Sequence, residues 1–175
     1  DSIPSLWQLH PIWMDEEVFL AQLFRRARLV DEAFQQRMAS VVRCNCEDTV
    51  PIEFFSAPIK SVARMREKLA KYVPPHPAAI WPLTANILDP VRASIVCDGP
   101  KQILQAANWF ISNECISDTH KYPLTVVRVK NKFSPSHPEV TDGYRDLKLF
   151  ISFMDSRGLG IIGEIQFHDR ILYGL

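Results

Sequence analysis

GYRDLKLFISFMDSRGLGIIGEIQFHD, residues 143–169, is the stretch in which side-chain alternation becomes strict. Leu147, Leu149, Ile151 and Phe153 fall on one face of a strand, and Tyr144, Asp146, Lys148 and Phe150 on the other. After a turn around Arg157 and Gly158, Ile161, Gly163, Ile165 and Phe167 alternate with Ile162, Glu164, Gln166 and His168. A hairpin that keeps the apolar faces together brings Lys148 near Gln166 and Asp146 near His168. One face of the sheet then collects Asp146, Lys148, Glu164, Gln166 and His168. A solvated sheet face would carry the same pattern, so a function needs support from elsewhere in the chain.

Working outward, residues 124–129 and 93–97 read as further strands and residues 102–112 as a helix between them. The proline-rich stretch 74–82 is a loop, and so is the Ser/Pro-rich stretch that leads to Gly143. In residues 60–72, Val62, Met65, Leu69 and Tyr72 share one sector of a helical wheel, while Lys60, Arg64, Lys68 and Lys71 share the opposite one. That helix has a core face and a basic stripe. Residues 15–42 predict one long amphipathic helix with Asp15 as its N-cap, and Phe19, Leu23, Ala27, Val30, Phe34, Met38 and Val41 as its apolar face. Trp7, Pro11 and Trp13 form an aromatic lead-in suited to packing, and residues 43–57 read as a linker.

The chain has 175 residues, 47% of them hydrophobic, in keeping with one ordinary globular domain. Its 20 Lys and Arg balance 20 Asp and Glu, which speaks against a general nucleic-acid binder, since such affinity comes from a broad excess of cations. No apolar run approaches the roughly 20 residues of a membrane span, and no basic, then apolar, then small-residue leader opens the sequence. Cys44, Cys46, Cys97 and Cys115 lack the spacing of a disulfide framework or a structural zinc site, which suits reduced thiols in an intracellular domain. Asp1 in place of Met, and an apolar run continuing to Leu175, suggest a piece of a longer protein in which the N-terminal helix offers a surface to further domains or partners.

Taken in order, Ile59-Lys60-Ser61 with Lys68-Leu69, Ile87-Leu88-Asp89 ahead of Ser94-Ile95-Val96, Gly143-Tyr144-Arg145-Asp146, and Gly163-Glu164-Ile165-Gln166 resemble the synthetase domain of the RelA/SpoT family. The ordered combination carries the resemblance, and no single piece would. It implies an α/β (α+β) nucleotidyltransferase-like mixed sheet flanked by helices, with residues 1–55 as an N-terminal helical extension and linker and residues 56–175 as a synthetase domain shortened at its C-terminus. It also implies pyrophosphate transfer from ATP to the 3′ hydroxyl of GDP or GTP, making guanosine tetra- and pentaphosphate.

The implied chemistry needs carboxylates for Mg²⁺, cations for phosphates and a surface for the base. By resemblance, Asp89 matches the Mg²⁺-binding aspartate, and Glu164 the glutamate that holds metal or activates the attacking hydroxyl. Tyr144 matches the tyrosine that stacks on guanine, and Gln166 orients the nucleotide or Glu164. Lys60 and Lys68 match lysines near the ATP phosphates and fall on the basic stripe found from periodicity; Arg64 shares that stripe. Lys130, Lys132 and Lys148 are further phosphate candidates. The pair His168-Asp169 does not imply alarmone hydrolysis, which belongs to a separate helical domain with several dispersed metal ligands.

Departures from the family pattern bear on the ATP side. Pro58 stands where an arginine is common, Arg64 where a serine is, Ser94 where an arginine follows the metal aspartate unless Arg92 substitutes, and Lys148 where a histidine follows the tyrosine. Two other readings fit the same residues: an enzyme of this fold acting on another acceptor, such as an adenosine nucleotide or the 3′ end of tRNA, or a catalytically silent module of a larger assembly. Retention of both Asp89 and Glu164 argues against silence; the altered ATP-side positions argue for it.

Overall fold

The structure is a computed structural model, and it describes residues 11–46, 52–112, 122–134 and 145–173. The element order is α1 (Pro11–Asn45), β1 (Glu53–Ala57), α2 (Val62–Leu69), β2 (Val91–Cys97), α3 (Gly99–Ser112), β3 (Thr125–Asn131), β4 (Leu147–Met154), β5 (Gly160–Asp169) and α4 (Arg170–Tyr173). Short 3-10 turns follow α2 at Ala70–Tyr72 and precede β2 at Leu83–Asn86.

The strands form one mixed sheet in the order β1-β2-β5-β4-β3. Among the described residues only β2 and β5 run parallel, and the other neighbours are antiparallel. The β4–β5 hairpin has the expected register, with Lys148 opposite Gln166 and Leu149 opposite Ile165. Across the parallel pair, Arg92 lies opposite Glu164 and Ser94 opposite Gln166. The result is the α+β mixed sheet flanked by helices that the motifs imply.

One face of the sheet is dry. Val91, Ala93 and Ile95 of β2, Leu149, Ile151 and Phe153 of β4, and Ile165 and Phe167 of β5 are buried in a single cluster with Ala27, Val30 and Phe34 of α1 and Ile103, Ala106 and Phe110 of α3. Edge-to-face ring contacts, Phe34 with Phe153 at 5.7 Å and Phe110 with Phe167 at 6.0 Å between centroids, knit the helices to the strands. The start of α1 also packs on α2, through a second cluster of Leu20, Met65, Leu69, Leu83 and Ile87. The opposite face of the sheet keeps Arg92, Lys148, Glu164 and Gln166, with α2 standing beside it.

Three local expectations are corrected. The first helix begins at Pro11 instead of Asp15, because proline in a first turn forfeits no intrahelical hydrogen bond. Part of the expected linker is the edge strand β1, whose burial does not alternate. Helix α2 starts at Val62 with Ser61 as N-cap, so Lys60 precedes the helix it was expected to open. Among the described residues, no helix is long and apolar enough to cross a membrane.

Candidate active site

The site is built around the segment that leads into β2. Glu16 of α1, itself buried, receives Thr84 N at 3.0 Å and the Thr84 hydroxyl at 2.5 Å, and so pins the turn Leu83–Asn86. The chain then passes through Ile87, in the second core cluster, to Asp89. Lys60 N donates to Pro90 O at 2.9 Å, which fixes the approach to α2 against the approach to β2. In consequence Lys60 pairs with Asp89 Oδ2, and Lys68, two turns along α2, donates to Asp89 Oδ1 at 2.7 Å.

These charges are sheltered. The Asp89 side chain is 9% exposed and those of Lys60 and Lys68 are 15% and 25% exposed, so they differ from the surface pairs whose worth is small. Burial pushes the Asp89 carboxyl up, but hydrogen bonds and charge from Lys60 and Lys68 outweigh it and hold the group below the usual carboxylate range. Burial also lowers the Lys60 ammonium, against the pull of Asp89. Burial thus works against both charged forms of the pair. With Lys68 as a second cation, the carboxylate between two ammoniums is the arrangement favoured at neutral pH.

Two cavities meet at Lys68. The larger, about 900 Å³, is lined by Lys60, Arg64, Lys68, Lys71 and Arg92. The other, about 460 Å³, is lined by Lys68, Asp89, Arg128, Lys130, Lys132, Lys148 and Glu164. Tyr72 and His76, in edge contact at 5.0 Å between centroids, border both. The whole basic stripe, from Lys60 ahead of α2 to Lys71 in the turn after it, therefore faces one cavity, and Asp89 and Glu164 line the same neighbouring one.

Glu164 is buried on β5, with Gln166 Nε2 donating to its Oε1. Lys148 Nζ lies 3.6 Å from the same oxygen and 3.2 Å from Asp146 Oδ2. Lys130 stands directly opposite Lys148 across β3 and β4. Like charges so placed repel one another, and the cavity they border attracts anions.

The structure thus gathers Lys60, Arg64, Lys68, Lys130, Lys132, Lys148, Asp89 and Glu164 around two adjoining cavities, with Gln166 reaching them only through its bond to Glu164; Tyr144 lies outside the described residues. Sequence reading missed Tyr72, His76 and Arg128 as lining residues. Arg128 was legible in principle, since it alternates with Lys130 on β3; its guanidinium lies 5.9 Å from the centroid of the Phe150 ring. Tyr72 was read as core. It does pack on the second cluster, but the tightening from α-helix to 3-10 turn at Ala70 also brings it to the cavities. His76 sits in a proline-rich loop without periodicity.

Solved structures with this architecture include the small alarmone synthetase 1 of Bacillus subtilis bound to its product pppGpp, similar at a TM-score of 0.55 and 15% identity over 90% of this chain and 75% of that one. A further structure of that synthetase matches at a TM-score of 0.59 and 16% identity, over 88% and 73% of the two chains. This chain has the alarmone-synthetase fold. A GTP pyrophosphokinase family protein from Streptococcus pneumoniae shares it, at a TM-score of 0.55 and 11% identity over 98% and 73%. No family profile matches the sequence, and no curated protein does. The alarmone-synthetase fold here includes α1, whose Phe34 packs into the core of the sheet.

Proposed function

We propose that this chain transfers pyrophosphate from ATP to the 3′ hydroxyl of GDP or GTP, yielding guanosine tetra- or pentaphosphate and AMP. The observation that carries the reading is the pair of polar cavities sharing Lys68, with Asp89 and Glu164 together on one of them. The larger cavity suits the donor, because a triphosphate needs several cations and Lys60, Arg64, Lys68 and Lys71 present them from one side. The smaller suits a phosphorylated acceptor, held by Arg128, Lys130 and Lys132.

In the step proposed, the 3′ oxygen attacks the β phosphorus, the bond between that phosphorus and the oxygen bridging to the α phosphate breaks, and AMP leaves. The hydroxyl proton passes to the Glu164 carboxylate, which Gln166 orients. The donor set suits Mg²⁺, which commonly takes one or two protein carboxylates and completes its shell with phosphate oxygens and water. Asp89 and Glu164 would hold it, and no group of three or more His, Cys, Asp or Glu ligands is gathered among the described residues. When bound, the ion supplies charge neutralisation at the phosphates. Lys60 and Lys68, now on Asp89, are positioned to transfer their hydrogen bonds to the incoming triphosphate.

Tyr144 is proposed, from its motif, as the guanine platform. Tyr144→Ala should weaken GDP binding by about 1–3 kcal/mol with ATP binding kept, and Tyr144→Phe should be nearly neutral. The decisive assay incubates purified protein with ATP, Mg²⁺ and, separately, GDP, GTP, an adenosine nucleotide and tRNA, and resolves the products by chromatography. Product from GDP or GTP that is lost in Asp89→Asn and Glu164→Gln supports the proposal. Product only from another acceptor, or none from any, overturns it.

A further inference from the structure

Asp146 is a carboxylate with no solvent exposure whose two oxygens accept no hydrogen bond from any described group. A buried charge without hydrogen bonds is costly to keep, and it depends on a nearby charge of opposite sign for compensation. It sits at the start of β4, where its backbone oxygen accepts from Lys132 N at 2.9 Å. Its cation is Lys148, 3.2 Å away, and the same ammonium lies 3.6 Å from Glu164. Lys148 and Glu164 line the smaller cavity, while Asp146 does not. The order from inside outward is therefore buried anion, ammonium, then cavity-facing anion.

One ammonium between two carboxylates neutralises one negative charge and leaves one. The ion sits nearer the buried partner, so the unneutralised share falls to Glu164. We propose that Asp146 is a positioning residue, a buried counter-ion that draws the Lys148 ammonium off Glu164 and leaves Glu164 open to a divalent cation. This rests on the reading of Glu164 as a metal-holding carboxylate. Removing the charge of Asp146 commits Lys148 wholly to Glu164, so the cation must then displace a full salt bridge.

The test uses the full chain, with Mn²⁺ alone as the probe, titrated by water-proton relaxation, alongside melting temperature and transfer kinetics. Asp146→Asn should weaken Mn²⁺ binding by about 10-fold or more, the usual effect of losing an outer-shell partner. In transfer assays it should lower kcat more than it raises KM for the nucleotides. The double variant Asp146→Asn/Lys148→Met has neither the buried anion nor its cation; it should fold and bind Mn²⁺ at least as tightly as the wild type. This keeps the question open to test if the single variant unfolds. A folded Asp146→Asn protein with wild-type Mn²⁺ affinity overturns the inference, and so does a double variant that binds Mn²⁺ about 10-fold more weakly. Mn²⁺ binding that depends on Glu164 in a protein without transfer activity removes the proposed reaction and leaves the role of Asp146 standing.

Discussion

Lys68 Nζ lies 2.7 Å from Asp89 Oδ1, and Lys68 is the one cation of the α2 stripe that borders both cavities. Lys60 occupies the other oxygen of the same carboxylate. Two side chains expected on the phosphates thus rest on the residue expected to hold metal. In the proposed reaction these cation sites would be held in a charge-neutralised form, and a metal–triphosphate complex would enter by exchange, with the divalent ion taking the place of ammoniums at Asp89 and phosphate oxygens taking the place of Asp89 at the ammoniums.

Replacing Asp89 by Asn should abolish transfer and flatten the acid limb of stability. The sign follows from the depressed carboxyl of the folded state: the stabilisation is present above the unfolded value, near pH 4, and is lost as pH falls through the folded value. Urea melts from pH 6 down to pH 2 should therefore show a shallower decline in Asp89→Asn than in the wild type. Parallel declines would mean that the pair with Lys60 and Lys68 contributes nothing to acid stability.

On the proposed reading, in which Lys60 gives the donor one charge-assisted hydrogen bond, Lys60→Ala should weaken ATP binding by about 1.5–3 kcal/mol, read by calorimetry. The fold should survive, because Lys60 lies outside both core clusters and Lys68 still neutralises Asp89. An unchanged ATP affinity would make the stripe an ordinary solvated face.

The β4–β5 hairpin was legible down to its register because each strand has a dry face and a polar face, and a slip of one residue would turn Lys148 and Glu164 into the apolar cluster under the sheet. The basic stripe was legible for the equivalent reason in a helix. Strand β1 was not, since an edge strand with both faces half covered carries no alternation. The pairing of Lys60 with Asp89, residues 29 apart in sequence, depends on the backbone bond from Lys60 to Pro90, and local pattern contains nothing of it. The burial of Asp146 was also invisible: its parity placed it on the polar face, and that face is closed near the end of β5, where α4 brings Tyr173 to 4.8 Å from His168.

His168 gives a second pH signature. Burial lowers its imidazole below the ordinary histidine range, with Asp146 pulling it up and Lys148 pushing it down. The unfolded chain therefore takes up a proton first, near pH 6.5, and stability should fall as pH drops from there to the folded value. Thermal melts between pH 8 and pH 5 should show this slope, and His168→Gln should reduce it. A wild-type melting temperature constant over that range would mean that His168 titrates alike in the folded and unfolded chain.

Gly163, immediately before Glu164, is where Phe34 of α1 packs directly against the backbone of β5. A Cβ added there would lie 2.6 Å from Phe34 Cε2 and 2.8 Å from Val91 Cγ2, inside contact distance. Phe34 is fully buried and in edge contact with Phe153, so its ring has no free direction in which to swing. Gly163→Ala should then destabilise by about 1–3 kcal/mol, the usual cost of overpacking, at roughly 2–4 °C of melting temperature per kcal/mol for a chain of this size. The strain is relieved by moving α1 or β5, and movement of β5 carries Glu164 with it, so transfer should fall by more than the unfolded fraction explains. Phe34→Leu in the Gly163→Ala background supplies space and should recover part of the stability, although the same substitution alone is destabilising. A Gly163→Ala protein that melts with the wild type would mean that α1 does not press on β5 at Phe34, and would detach the first helix from the wall that positions Glu164.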